Sequence, residues 1–141
     1  MTRRGLGLMF ISALWLFPLV AQGASGNGDW LESRIDRAVS RIEGAKAQPA
    51  KVAAVRELER ELDEKVKSLK GLKTDDARDL RYSLVSLRSY LDGIDLRGFS
   101  KEDCKGYRSS ILLSVSPQGA MEYFPGEAKE ALRILAALCS D

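Results

Sequence analysis

No histidine occurs anywhere in these 141 residues. That absence removes the side chain whose ordinary pKa lies nearest neutrality, and with it Ser/His and Cys/His nucleophile pairs and the commonest metal ligand. Only two cysteines are present, Cys104 and Cys139, so the chain has neither a Cys-x-x-Cys redox pair nor a haem attachment motif. Metal binding would fall to carboxylates alone. The adjacent acids Asp75/Asp76 and Glu102/Asp103 stand at expected helix starts, where capping and the helix dipole account for them. "GLKTDDARD" lacks the second glycine and the lysine of a phosphate loop. No catalytic residue, cofactor or metal site is expected, and the chain reads as a non-enzyme. A two-carboxylate hydrolase is retained as the third reading, since a small helical protein rarely carries the deep cleft such a pair needs.

Long apolar runs are missing too. Leu6 to Val20 is the longest uncharged, mostly apolar stretch, and its 15 residues fall short of the roughly 20 that cross a bilayer core as helix. Arg3 and Arg4 precede it, Pro18 breaks it near its end, and Ala21-Gln22-Gly23 places small residues at positions −3 and −1 of a cut after Gly23. That is the layout of a secretory signal peptide. Residues 1–23 are therefore expected to be removed on export, leaving no stable membrane insertion and a protein that is periplasmic if bacterial and otherwise secreted. The greasy core suits the unfolded-chain route better than the twin-arginine route, and no cysteine follows it to carry a lipid.

Excess charge of either sign is also absent. The 22 basic and 20 acidic groups differ only by Arg3 and Arg4, so the 118 residues after Gly23 carry 20 of each. A formally neutral chain gives no electrostatic reason to expect nucleic acid or an anionic membrane as partner.

What is present is helical periodicity. Residues 24–28 read as a flexible leader and 29–141 as one domain, long enough to bury a modest core. Leu31, Ile35, Ala38 and Ile42 form one stripe, with Asp29 and Glu32 spaced as a capping pair and Gly44 at the end. After Pro49, a second stripe runs Val52, Val55, Leu58, Leu62, Val66 and Leu69 to the stop at Gly71. Its other face is charged, with opposite-sign pairs four apart at Arg60/Glu64, Glu61/Lys65 and Asp63/Lys67. Thr74 caps a third helix striped by Leu80, Leu84, Leu87 and Leu91 up to Gly93. Short turns between such helices predict an all-α, antiparallel bundle of four to five helices.

Further on, Ser100 and Asp103 are placed to cap a helix in which Cys104, Tyr107, Ile111 and Val115 share a face. "SSILLSVS" alone also suits a strand, so residues 107–116 are open between the two; helix is preferred because nothing else offers a partner strand. A last helix begins near Pro125 with Ala128, Leu132, Leu135, Ala136 and Cys139 on its stripe. Both cysteines lie on apolar stripes of an exported chain, which predicts a Cys104–Cys139 disulfide.

Size, export and missing chemistry together point to a non-catalytic protein-interaction module of inhibitor, immunity or adaptor type in the cell envelope. Its partner would be another envelope or secreted protein. The candidate contact surface is the charged helix face with Arg56, Arg60 and Lys67, or the aromatic segment with Tyr123 and Phe124. The alternative is a carrier of an apolar small molecule or lipid between its helices, lined by Tyr90, Phe99, Tyr107 and Met121.

Overall fold

The computed structural model of the protein describes residues 26–115 and 126–141. Five α-helices account for most of them: α1 Gly26–Gly44, α2 Gln48–Ser68, α3 Asp75–Asp92, α4 Cys104–Val115 and α5 Gly126–Cys139, with a 3₁₀ turn at Lys101–Asp103. No strand occurs among the described residues, and the all-α bundle expected from periodicity is what the chain forms. Residues 1–23, expected to be a signal peptide, and Met121, Tyr123 and Phe124 lie outside the described residues.

Local chemistry sets most helix ends. Pro49 sits in the first turn of α2, where its missing N–H has no intrahelical acceptor to lose. The Thr74 hydroxyl accepts a hydrogen bond from the Ala77 N–H at 3.3 Å, capping α3. After α2, Gly71 adopts φ +90°, a left-handed turn that a side chain would strain. Asp95 folds the α3–α4 connection on itself by accepting from the Arg97 and Gly98 N–H groups at 3.0 and 3.3 Å. At α1 the ends differ from expectation. Gly26–Gly28, read as part of the leader, are helical, and Asp29 lies inside the first turn, where the dipole favours it, instead of capping.

Residues 107–115 are helix. Ile111 is buried at 5% exposure with Cys104 and Tyr107 half-buried beside it, so the segment gains a docked face that a lone strand would lack. The Ser100 hydroxyl caps this region by accepting from the Glu102 N–H at 3.3 Å, through the 3₁₀ turn that precedes α4.

Helices α1, α2, α3 and α5 surround the core in that order, and α4 lies outside them against α5. Cross-helix contacts give the directions. Arg34 meets Glu61 and Arg41 meets Glu57, so α1 and α2 are antiparallel. The Lys51 Nζ, buried at the start of α2, donates to the Ser140 carbonyl at 2.7 Å, which brings the end of α5 to the end of α1 and makes those two parallel. It also places a cation at the negative end of the α5 dipole. Leu58, Leu62, Leu84, Leu87, Leu91, Ile134 and Leu138 fill the centre. Each such side chain contributes about 1.5–3 kcal/mol on leaving water.

The stripe expected on α5 is met in part: Ala128 and Leu135 are buried, and Cys139 is half-buried. On α5 the fully enclosed positions are Ala128, Ala131, Ile134 and Leu138, while Leu132 is half-buried and Ala136 exposed. The reason is tertiary: α5 packs against α1 and α3 on one side and α4 on another, so its buried arc is wider than one stripe. Cys104 and Cys139 form a disulfide spanning 35 residues, with Cα atoms 6.2 Å apart, that ties the start of α4 to the end of α5.

Candidate functional site

The charged face of α2 is largely committed to holding the bundle together. Of the three pairs expected along the helix, only Arg60–Glu64 forms, at 2.8 Å. Glu61 instead meets Arg34 and Arg37 of α1 at 3.6 and 3.7 Å, and Asp63 meets Arg88 of α3 at 3.2 Å. Lys65 turns to Trp30, its Nζ 5.0 Å from the ring centroid, while the Arg34 guanidinium lies 5.3 Å from the same ring. Guanidinium groups reaching from α1 and α3 offer these acids partners that sequence spacing along one helix does not reveal.

Around Arg88 the ion pairs are partly shielded. Its guanidinium donates to Glu59 at 3.0 Å, to Asp63 and to Asp92, with only 27% of the Arg88 side chain and 15% of Glu59 exposed. Burial pushes the Glu59 carboxyl above its usual range, further than the neighbouring Arg88 pulls it down. Burial alone would lower the Arg88 pKa, but the carboxylates of Glu59, Asp92 and Asp63 outweigh it and hold it up. This cluster locks α2 to α3. Among the described residues no three acidic or cysteine side chains converge as a metal-ligand set.

Arg56, Arg60 and Lys67 do share one strip of α2, being four and seven residues apart, and all three are exposed. Arg60 is tied to Glu64, whereas Arg56 and Lys67 have no carboxylate within ion-pair distance among the described residues. Tyr123 and Phe124, named with them as the other candidate surface, lie outside the described residues. The lining imagined for a carrier divides similarly. Phe99 stacks on Tyr107 with ring centroids 6.0 Å apart, and Tyr90 lies in a surface groove.

That groove is the feature sequence reasoning missed. It runs between α3 and α4, encloses about 240 Å³, and is lined by Ser89 and Tyr90 from α3, by Gly93 just past its end and by Tyr107, Ser110 and Ser114 from α4, over a floor of Ile94 and Ile111. Among the described residues no charged side chain lines it. Burial raises the pKa of the Tyr90 hydroxyl, helped by the Glu127 carboxylate, so it stays a neutral donor and acceptor. Tyr82 and Val85 of α3 and Leu113 of α4 are among the most exposed large apolar side chains, at 72%, 52% and 61%, and Tyr82 lies two turns before Ser89 on the same strip of α3. A signal existed in the sequence: Tyr82, Ser86, Ser89 and Gly93 follow at intervals of four, three and four without a charge. What the sequence did not reveal is that α4 lays its own uncharged side alongside.

Among the described residues no helix is long and apolar enough to cross a membrane. Comparison with family models, with curated protein sequences and with solved structures finds no match to this chain.

Proposed function

We propose that this protein is a non-catalytic interaction module, exported through residues 1–23, that binds another envelope or secreted protein as an inhibitor or adaptor. The observation that carries the reading is the uncharged α3–α4 face, in a chain of which 30% of residues are charged. Charged residues are depleted where protein partners bury each other, and tyrosine supplies contact area at low entropic cost with serine adding adaptable hydrogen bonds. Tyr82, Tyr90, Tyr107 and the serines between them fit that composition. Because the α2 acids are engaged by α1 and α3, the α3–α4 face replaces α2 as the preferred contact surface.

Photo-crosslinking in the intact source cell tests this. A crosslinker placed at Ser89 or Tyr82 is expected to yield one discrete adduct, and one at Arg56 none. Ser89→Glu should abolish the Tyr82 adduct while leaving the thermal midpoint unchanged, whereas charge reversal at Arg56 or Lys67 should leave it intact. An adduct from Arg56 but not Ser89 would move the contact to α2, and no adduct from any position would sink the dedicated-partner reading.

A further inference from the structure

A second cleft lies on the opposite side of α4, between α4 and α5, and its chemistry is different. It encloses about 240 Å³. Leu132, Leu135, Ala136 and the Cys104–Cys139 disulfide make its floor, and Lys105 and Arg108 of α4 stand at its rim. Among the described residues the only charged groups lining it are those two cations. Neither has a carboxylate within ion-pair distance among the described residues, a condition they share with Arg56 and Lys67 of α2, but only these two border an apolar cleft.

The distribution of acids explains why. Helix α4, "CKGYRSSILLSV", contains none, and Glu102 and Asp103 in the turn before it are exposed and do not line the cleft. On α5, Glu130 is turned towards Arg133, which also binds Asp36 of α1, so that acidic group serves the far side of the helix. Lys129 lies three and seven residues before Leu132 and Ala136 and shares their strip of α5. An apolar trough is thus bordered by positive groups on both helices. Each long cationic side chain can lie along apolar surface while keeping its head in water.

We infer that this cleft binds a single-chain anionic amphiphile, with the acyl chain along Leu132, Leu135 and Ala136 and the carboxylate held by Lys105 and Arg108. The two positive charges at the rim favour a negative head over a neutral one, and the apolar floor favours a chain over a small anion. The site is independent of the α3–α4 face and uses none of the aromatic side chains first imagined for a carrier.

Titration of the purified, oxidised protein with decanoate below its micelle concentration, followed by backbone amide NMR shifts, tests the assignment. Saturable one-to-one binding is expected, with shifts confined to residues 104–112 and 129–139. Decyltrimethylammonium should bind at least tenfold more weakly, and butyrate, which has the head without the tail, should not saturate. Lys105→Glu with Arg108→Glu should lose tenfold or more in decanoate affinity, and Ala136→Trp, which fills the cleft, should abolish binding. Both sets of changes are at exposed positions, and an unchanged amide spectrum elsewhere verifies the fold. Equal binding of the cationic amphiphile, shifts mapping to the α3–α4 groove, or indifference to Ala136→Trp would overturn the assignment. So would an acidic peptide that saturates the cleft when decanoate does not, since that result would make it a protein-docking site.

Discussion

Replacing Arg88 by Met keeps the apolar stem and deletes the guanidinium that joins α2 to α3. Two of the lost hydrogen bonds go to carboxylates that are half or more exposed, 50% for Asp63 and 64% for Asp92, and exposed pairs of that kind contribute at most about 0.5 kcal/mol each. The third goes to Glu59, only 15% exposed, where a charge-assisted bond contributes about 1.5–2 kcal/mol. The expected loss at pH 7 is therefore about 1.5–3 kcal/mol. It should shrink in acid for a definite reason. With Arg88 gone, burial and the neighbouring Asp63 and Asp92 raise the folded-state pKa of Glu59 further above its ordinary 4.5. The folded state then holds a proton that the unfolded chain releases, so the variant loses stability as pH rises through that window. Urea unfolding at pH 4.5 and pH 7 measures both numbers without the screening that guanidinium salt would add. Arg60→Met is the control, since Arg60 and Glu64 are 61% and 60% exposed, and it should cost no more than about 0.5 kcal/mol. Equal losses for the two variants, or a loss at Arg88 that ignores pH, would refute the assignment of the cluster as a partly buried clasp.

Three other outcomes follow from the structure. Cys104→Ser with Cys139→Ser opens a 35-residue loop and should cost about 4 kcal/mol in the chain-entropy model, with α4 amides exchanging with solvent well before those of α1–α3. Leu87→Ala, at a fully buried position of α3, should cost about 2–5 kcal/mol by urea unfolding, whereas Leu72→Ala, 52% exposed, should be nearly silent. For Glu59→Gln the sign is set by the raised carboxyl pKa: the wild-type contribution is present below the unfolded value and lost as pH rises through the folded one. The stability of the variant relative to wild type should thus increase between pH 4 and pH 7.

Much of the fold was legible because the helices carry their own punctuation. Thr74, Pro49 and Gly71 act through backbone groups within a few residues, so reading them needed no tertiary information. The Leu80, Leu84, Leu87 and Leu91 stripe is likewise a one-sided pattern, and all four are buried as expected. The candidate surface fared differently. Arg56, Arg60 and Lys67 fall on one exposed strip and Arg60 pairs with Glu64 as expected, but Glu61 and Asp63, expected to pair with Lys65 and Lys67, meet Arg34, Arg37 and Arg88 instead. Spacing along one helix ranks only local partners, and a guanidinium from an adjacent helix competes for the same carboxylate.

The sequence alone determined an all-helical chain, the ends of α2 and α3, the pairing of its two cysteines and the absence of histidine chemistry. Each depends on residue identity and near-neighbour spacing. Tertiary structure alone decided that α4 stands outside the four-helix core, that α5 buries a wide arc, and that α4 therefore shows an uncharged hydroxyl-lined groove to one side and a cation-rimmed apolar cleft to the other. A groove is made by two helices at once, and which helices become neighbours depends on how the whole core closes.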